Sequence, residues 1–480
     1  MSIHRYTVVI GVAGILCGLA TSPADAQAPP GPEPKAKSGT TLTPAPADQE
    51  EDAAARALRS LYVPDGLTSD QAVQRVVATS PDIERTKALL KEAKGGALQA
   101  MSGLVPRLEL LGRYSRLSPV DNPTFNIPGL GPLTFRSLTQ QLASDATLSY
   151  SFTQSLAEAM PAYRAAKKSK VAAKYQIAAE NNNVALDARQ AYYEYARAEA
   201  GLAVANFALE AAVSQREETE ALVGAGSAAR VDLMRVQAQE EAGRVAVEQA
   251  KLGVQVATRS LQALMNTAEL PSLGEDLSEP VTGIPTETEK TLQERAYQNR
   301  PDLLALRKYV EVTTHQLKSA IGGRLPDFLV RASSEYSNPN LRVIPQEERF
   351  VATWEVGAVI RWAPNDTVNA QGRARQLQAD LERAYADVTT LEQAVRVEVA
   401  QGYHGMLAAQ AAMESARLGL SAAREGYRVT REQRQAGIVN TTDVLQAQSE
   451  LIRSQVDVVE SAIGLRIAKA QLRRAIGEMP

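Results

Sequence analysis

Apolar and small residues recur along two long stretches of this chain in steps that alternate between four and three. Val184, Ala188, Ala191, Tyr195, Ala198, Leu202, Ala205, Leu209 and Ala212 form one series. Val395, Val399, Gly402, Met406, Ala409, Met413, Ala416, Leu420 and Ala423 form a second, displaced from the first by 211 positions throughout. A strict seven-residue repeat of this length predicts helices packed as left-handed coiled coils. The small residues in the seam allow the helix axes to approach closely. The first such helix is expected from about Pro161 to Val223, some 60 residues, or about 90 Å at 1.5 Å per residue. No single globular body buries a rod of that length, so a shaft is predicted.

Four other stretches alternate with a period of two, the signature of strands with two unlike faces. Residues 106–118 place Leu108, Leu110, Gly112 and Tyr114 opposite Glu109, Arg113 and Ser115. Residues 143–154 place Ala146, Leu148, Tyr150 and Phe152 opposite Asp145, Thr147, Ser149 and Ser151. Residues 326–337 set Phe328, Val330 and Ala332 against Arg331, Ser333 and Glu335. Residues 350–362 set Trp354, Val356, Ala358, Ile360 and Trp362 against Thr353, Glu355 and Arg361. Each is close to the roughly 9–11 residues that a tilted strand needs to cross hydrocarbon. Both tryptophans lie near the ends of the last stretch, which suits the aromatic girdle of a membrane barrel. A soluble four-stranded sheet lying on helices fits the alternation equally. The long helices offer no compact body to cover the apolar face, and this favours the membrane. Four strands cannot close a barrel, for which about eight are needed. The chain is therefore expected to oligomerise, with eight, twelve or sixteen strands from two, three or four copies.

These elements are written twice. SPDIERTKALL (80–90) matches RPDLLALRKYV (300–310) at an offset of 220, and ARQAYYEY (188–195) matches VAQGYHGM (399–406) at 211. The first copy thus carries nine extra residues, assigned to the Pro- and Gly-rich stretch 118–135, where no regular structure is expected. Gly226 and Gly437 are read as turns between long antiparallel helices. Asp232 and Asp443 follow them in the first turn of the returning helix, where a carboxylate favours the helix dipole. The resulting division is a signal peptide at 1–26, a disordered leader at 27–65, a first repeat at 66–265, a linker at 266–290 and a second repeat at 291–480. The signal rests on Arg5, the apolar run Val8–Ala20 and the small-residue exit Ala24-Asp25-Ala26.

Composition narrows the chemistry. The single cysteine, Cys17, falls in the signal, so packing rather than disulfides must hold an exported chain. The residue before it, Leu16, argues against lipid anchoring. The net charge of −3 suggests no nucleic-acid partner. Beyond the signal no apolar run reaches the roughly 20 residues of a transmembrane helix. His315 and His404 stand alone on helices, and no metal spacing, nucleophile elbow or phosphate loop accompanies them. Neither catalysis nor a cofactor is expected.

The duplication, the Leu-Pro before the first strand of each copy, the QAYYEY and AQGYHGM helices and above all AGIVNTTDVLQAQSEL (436–451) together resemble the TolC family of outer-membrane efflux and secretion ducts. The resemblance covers about residues 66–477. It implies a homotrimer in the outer membrane of a Gram-negative bacterium, with a large periplasmic part. It also implies a barrel of twelve strands and a tunnel of twelve helices, mainly α with a small β part. Its implied partners are outer-membrane lipid, a periplasmic adaptor (membrane fusion protein) and an inner-membrane transporter of RND, ABC or similar type. The linker 266–290 would belt the middle of the tunnel. The helix turns would form a closed periplasmic tip with acidic rings: Asp443 matches the first ring aspartate, whereas the second falls on Gln446. The family's latching arginine falls on Val439, which leaves Arg230, near Asp232, as the alternative latch. Gly226, Arg230, Asp232, Gly437, Asp443 and Gln446 are accordingly the candidate gate and adaptor-docking residues. The rival reading is a soluble periplasmic coiled-coil scaffold or adaptor. The cargo is left open.

Overall fold

The structure is a computed structural model that describes residues 62–480 apart from 119–123, 130, 135–138, 278, 284 and 345–346. The expected signal peptide and most of the expected leader lie outside the described residues. In chain order the elements begin with helices α1 (Ser69–Thr79) and α2 (Pro81–Ser102), then strand β1 (Arg107–Arg116). A short ribbon of β2 (Thr124–Ile127) and β3 (Gly131–Thr134) and the strand β4 (Gln140–Ser151) follow. A π-helical turn (Gln154–Ala159) leads into α3 (Met160–Gly224), which returns as α4 (Arg230–Met265). The second half runs α5 (Glu289–Asn299), α6 (Pro301–Gly322), β5 (Asp327–Asn338), β6 (Val351–Arg361), α7 (Pro364–Gln435) and α8 (Thr441–Ala475).

Helix α3 has 65 residues and α7 has 72, so at 1.5 Å per residue each is about 100 Å long. In α7 the seam is the one written in the sequence. Val395, Val399, Met406 and Leu420 are buried, Gly402, Ala409, Met413, Ala416 and Ala423 are half-buried, and most residues between them are exposed. The seam of α3 is also covered, but α3 is enclosed on more sides. Tyr192 and Tyr193 lie outside the repeat and are buried all the same, against α1 and the linker. The Tyr192 hydroxyl donates to the Leu67 carbonyl at 2.9 Å, which satisfies a polar tip that burial would otherwise penalise.

Two cores form half-way along the long helices, where the short helices and the linker cross them. One joins Leu67, Val73, Val76, Ile83, Tyr192, Leu261, Met265, Leu277 and Ile463; the other joins Leu292, Ala296, Val395, Val399, Met406, Leu472 and Ile476. The fold begins before residue 66. Within the stretch expected as a leader, the Val63 amide donates to the Leu273 carbonyl at 2.9 Å, and Leu67 bridges Leu273 in parallel. Gly66 and Gly274 meet so closely that a Cβ on Gly274 would lie 2.2 Å from the Gly66 carbonyl oxygen, so neither tolerates a side chain.

Beside the second core the buried Arg300 ties three helices together. Its guanidinium grips Asp302 through two nitrogens (2.7 and 3.1 Å), reaches Glu398 of α7 at 2.5 Å and donates to the Ala475 carbonyl of α8 at 3.2 Å. Arg474 pairs with the same Glu398 and with Asn183 of α3.

The four long strands form one antiparallel sheet in the order β1-β4-β5-β6. Two boundaries differ from the periodicity. Strand β4 begins at Gln140 and ends at Ser151, so Phe152 opens the helix instead of closing the strand. The stretch 118–135 is not wholly irregular: β2 and β3 pair across a turn in which Gly129 and Gly131 have φ of +90° and +82°. Glycine reaches that backbone region without strain, and a two-stranded ribbon accommodates Pro132 because each strand has a free edge. The π turn was not legible in advance. It presents the Ala157 carbonyl to Gly322, where a Cβ would meet it at 2.2 Å, while Ser319 donates to the Glu158 carbonyl at 2.9 Å.

Candidate functional site

The register of the sheet sorts its side chains. Leu108 lies opposite Leu148, Leu110 opposite Ala146 and Tyr114 opposite Leu142. Leu148 then faces Ala332, Tyr150 faces Val330, and Val330 and Phe328 face Ala358 and Ile360. Leu108, Leu110, Tyr114, Leu148, Tyr150, Phe328, Val330, Trp354 and Ile360 therefore share one face. Leu110 and Trp354 retain 73% and 76% of their surface. An exposed apolar area of this extent marks a site of lipid or protein contact. Glu109, Arg113, Asp145, Arg331, Glu335, Glu355 and Arg361 fall on the other face, and Arg116, at the very end of β1, is a charged residue on the apolar side.

Two residues expected on the apolar face of the strands lie beyond the strand ends. Phe152 sits in the first helical turn, 4.8 Å edge-to-face from Tyr150 and 5.7 Å from Phe328. Trp362 follows β6 and donates its indole N–H to the Thr367 hydroxyl at 3.1 Å. Both strands end earlier than the alternation because the chain there turns into a helix.

At the far end of the long helices, both hairpin turns use one device. The Gly226 amide donates to Val223 and the Ser227 amide to Leu222; the Gly437 amide donates to Arg434 and the Ile438 amide to Gln433. This is the Schellman arrangement, which satisfies the last carbonyls of a helix through a left-handed residue. The φ values of +74° and +76° explain why both positions are glycine. The two returning helices start differently. Asn440 caps α8 in a full capping box, its side chain accepting from the Asp443 amide while the Asp443 carboxylate accepts from the Asn440 amide, both at 3.0 Å. Helix α4 is preceded at its N-cap by Ala229, which offers no side-chain cap.

The two turns lie together around an open cleft lined by Ser227, Ala228, Ala229, Asp232, Arg434, Gly437, Ile438, Val439, Asn440, Thr441 and Asp443. Arg230 is exposed at the start of α4, and among the described residues it makes no ion pair within the chain. The basic residue that does join the turns is Arg235, which lies 3.5 Å from Asp232 and donates to the Thr442 hydroxyl at 3.1 Å. Arg434 donates to Thr441 at 3.1 Å. Sequence reasoning passed over Arg235, although it stands one helical step after Asp232. Gln446 is exposed on α8. Just above the tip, the buried Glu240 accepts from Arg216 of α3 at 2.8 Å and Arg244 at 2.6 Å, tying the first hairpin.

His404 is exposed, 3.2 Å from Glu289, and among the described residues no three His, Cys, Asp or Glu side chains are grouped to hold a metal. No described helix is long and apolar enough to cross a membrane, so the strands are the described elements with a lipid-suited face.

A family model described as outer membrane efflux protein matches residues 72–267 and 292–478. The chain is 26% identical over 317 residues to outer membrane protein TolC of Vibrio cholerae, covering 63% of this chain and 70% of that protein. It is 26% identical over 184 residues to outer membrane efflux protein BepC of Brucella suis, where the match spans 38% of this chain and 40% of the relative's length. Among solved structures, CusC superposes with a TM-score of 0.73 at 14% identity, covering 88% of this chain and 94% of that one. The Campylobacter jejuni outer membrane channel CmeC gives 0.71 at 15%, with 85% of each chain covered. At such identities these two likenesses speak for the fold alone. The family match spans both halves of the chain, including the sheet and both helical hairpins, and this chain belongs to the outer membrane efflux protein family, whose members are transport ducts and not enzymes.

Proposed function

We infer that this chain is an outer-membrane exit duct, a passive conduit of an efflux or type I secretion system that crosses the outer membrane by its strands and the periplasm by its helices. The carrying observation is the four-stranded sheet, apolar and exposed on one face, charged on the other, with β1 and β6 as unpaired edges. A lone open sheet leaves backbone donors and acceptors unsatisfied, which hydrocarbon does not tolerate. The alternating directions of β1, β4, β5 and β6 allow β6 of one copy to pair antiparallel with β1 of the next. Channels of this family form trimers and work with adaptor and inner-membrane pump partners. Three copies of this chain then supply twelve strands, with the charged face lining water and Leu108, Leu110, Leu148, Trp354 and Ile360 meeting lipid.

The same reading divides the described chain into repeats at 66–265 and 291–480 about the linker 266–290. It places Gly226, Arg230, Asp232, Gly437, Asp443 and Gln446 at a periplasmic tip that gates the duct and receives the adaptor. Arg235 holds the two turns of one chain together, which leaves Arg230 free to pair between copies. An exposed pair of that kind contributes about 0–1 kcal/mol, so the gate it makes is weak. A soluble scaffold is disfavoured because nothing described in the chain covers the apolar face of the sheet.

The test is alkaline carbonate extraction of membranes containing the full chain, followed by single-channel recording of the purified protein. Retention with the outer membrane, and a higher conductance for Arg230→Ser, are expected. Release into the wash overturns the duct; retention with unchanged Arg230→Ser conductance removes only the latch.

A further inference from the structure

Residues 339–344, which follow β5, do not extend away from the sheet. Asn340, with 1% of its surface exposed, donates from its side-chain amide to the Val351 carbonyl at 3.0 Å and to the Thr353 hydroxyl at 3.2 Å. Its own side-chain oxygen accepts from the Arg342 amide at 2.9 Å. Gln141 of β4 donates to the Pro339 carbonyl at 3.5 Å, and the Arg342 guanidinium pairs with Glu355. Thr353, Gln141 and Glu355 all belong to the charged face. The burial pattern agrees with this. Ala143 and Ser337 are the only described residues of the four-stranded sheet that are fully buried, at 1% and 0% exposure. They are register partners on the charged face, in the row that contains Arg113 and Val351, next to the contacts just described.

We propose that residues 339–344 form a strap folded back over the charged face of the sheet, anchored by Asn340, that narrows the outer mouth of the assembled duct. The proposal rests on the duct reading for the statement that this face lines the pore, whereas the strap itself rests on the contacts. In a trimer, three straps project inward. Each places Arg342 above two rows rich in carboxylates, Asp145 with Glu335 and Glu109 with Glu355. The strap therefore sets two properties of the mouth: its width, through Asn340, and its charge, through Arg342. Asn340 is the anchor and Arg342 the adjustable part, since Arg342 and Glu355 remain half exposed or more and such pairs hold weakly.

Two measurements on the full chain with Cys17→Ser test this. In detergent-purified protein, Ser337→Cys should react slowly with a membrane-impermeant maleimide. Adding Asn340→Ala should accelerate the reaction about thirtyfold or more, the factor expected when two or three hydrogen bonds of ordinary worth no longer hold a cover closed. Equal rates in the two backgrounds overturn the strap. In planar bilayers, Arg342→Cys should lose single-channel current when a bulky anionic methanethiosulfonate is added from the side of the loops, and Arg342→Ala should shift the reversal potential in a KCl gradient towards cations. Modified channels whose current and reversal potential are unchanged place the strap outside the pore and overturn its role there. A chain that forms no channel overturns the duct reading and the pore placement with it, while the maleimide rates still decide whether the strap covers the sheet.

Discussion

Arg300 shows how much one side chain contributes to the middle of the shaft. Burial would push the Asp302 carboxyl up, but two hydrogen bonds and the charge of Arg300 outweigh it and hold the carboxyl below the usual range. A carboxyl whose folded pKa lies below its unfolded value of about 3.9 adds stability above that value and loses it as pH falls through the folded one. The contribution is thus complete at neutral pH, begins to fall below about pH 4 and is lost as the pH passes through the lower folded value. Replacing Arg300 by Met strands Asp302 beside a buried site and leaves Glu398 with Arg474 alone, with an expected loss of about 3 kcal/mol, the low end for a broken buried pair because both carboxylates keep a third of their surface. Denaturant unfolding at pH 7 should report this loss, and the difference from wild type should shrink as the pH is lowered towards 3. A constant difference across that range would mean that packing, and not charge, is what Arg300 supplies.

At the scale of elements, the two hairpins are nearly the same device with unequal finishing. Both end in a left-handed glycine that closes a Schellman motif, but only α8 has a side-chain cap. Asn440→Ala should cost about 1 kcal/mol, and Ala229→Asn should add a similar amount to the first hairpin. Hydrogen exchange at the two tips measures both changes locally; an unaltered first tip in Ala229→Asn would mean that Ala229 cannot reach capping geometry. The helices themselves were legible in the sequence, and α7 follows its heptad seam almost residue by residue. Helix α3 was legible as a helix, yet Tyr192 and Tyr193 could not be read as core, because α1 and the linker that bury them approach from outside the seam. The π turn escaped for a related reason: its widened backbone is held by Gly322 and Ser319, more than 150 residues away in the chain.

For the whole molecule, the decisive property is that the sheet has one apolar and one charged face. Neighbouring residues of β4 test it. Leu148→Arg places a charge on the apolar face, at a cost of about 2–4 kcal/mol if it lies at the bilayer midplane, and should sharply lower the amount of chain recovered in the outer membrane. Thr147→Arg, one residue earlier, faces the charged side and should leave recovery near wild type. Equal loss in both variants would argue for a sheet with protein on each face.

The sequence by itself determined the kind of element at most positions, the long helices and the direction of side chains in the strands. Those properties depend on periods of 3.5 and 2, which are local and survive whatever the chain packs against. Tertiary structure alone decided which charges stand together. Read along the chain, the strand charges show no clear preference of sign; only the pairing of β4 with β5 sets Asp145 beside Glu335, and only the folding back of 339–344 brings Arg342 to Glu355. It likewise chose Arg235 over Arg230 as the link between the two turns of one chain. Such contacts join segments that are distant in sequence or depend on how a loop leaves a strand, and neither the spacing nor the composition of a segment specifies the partner it will meet.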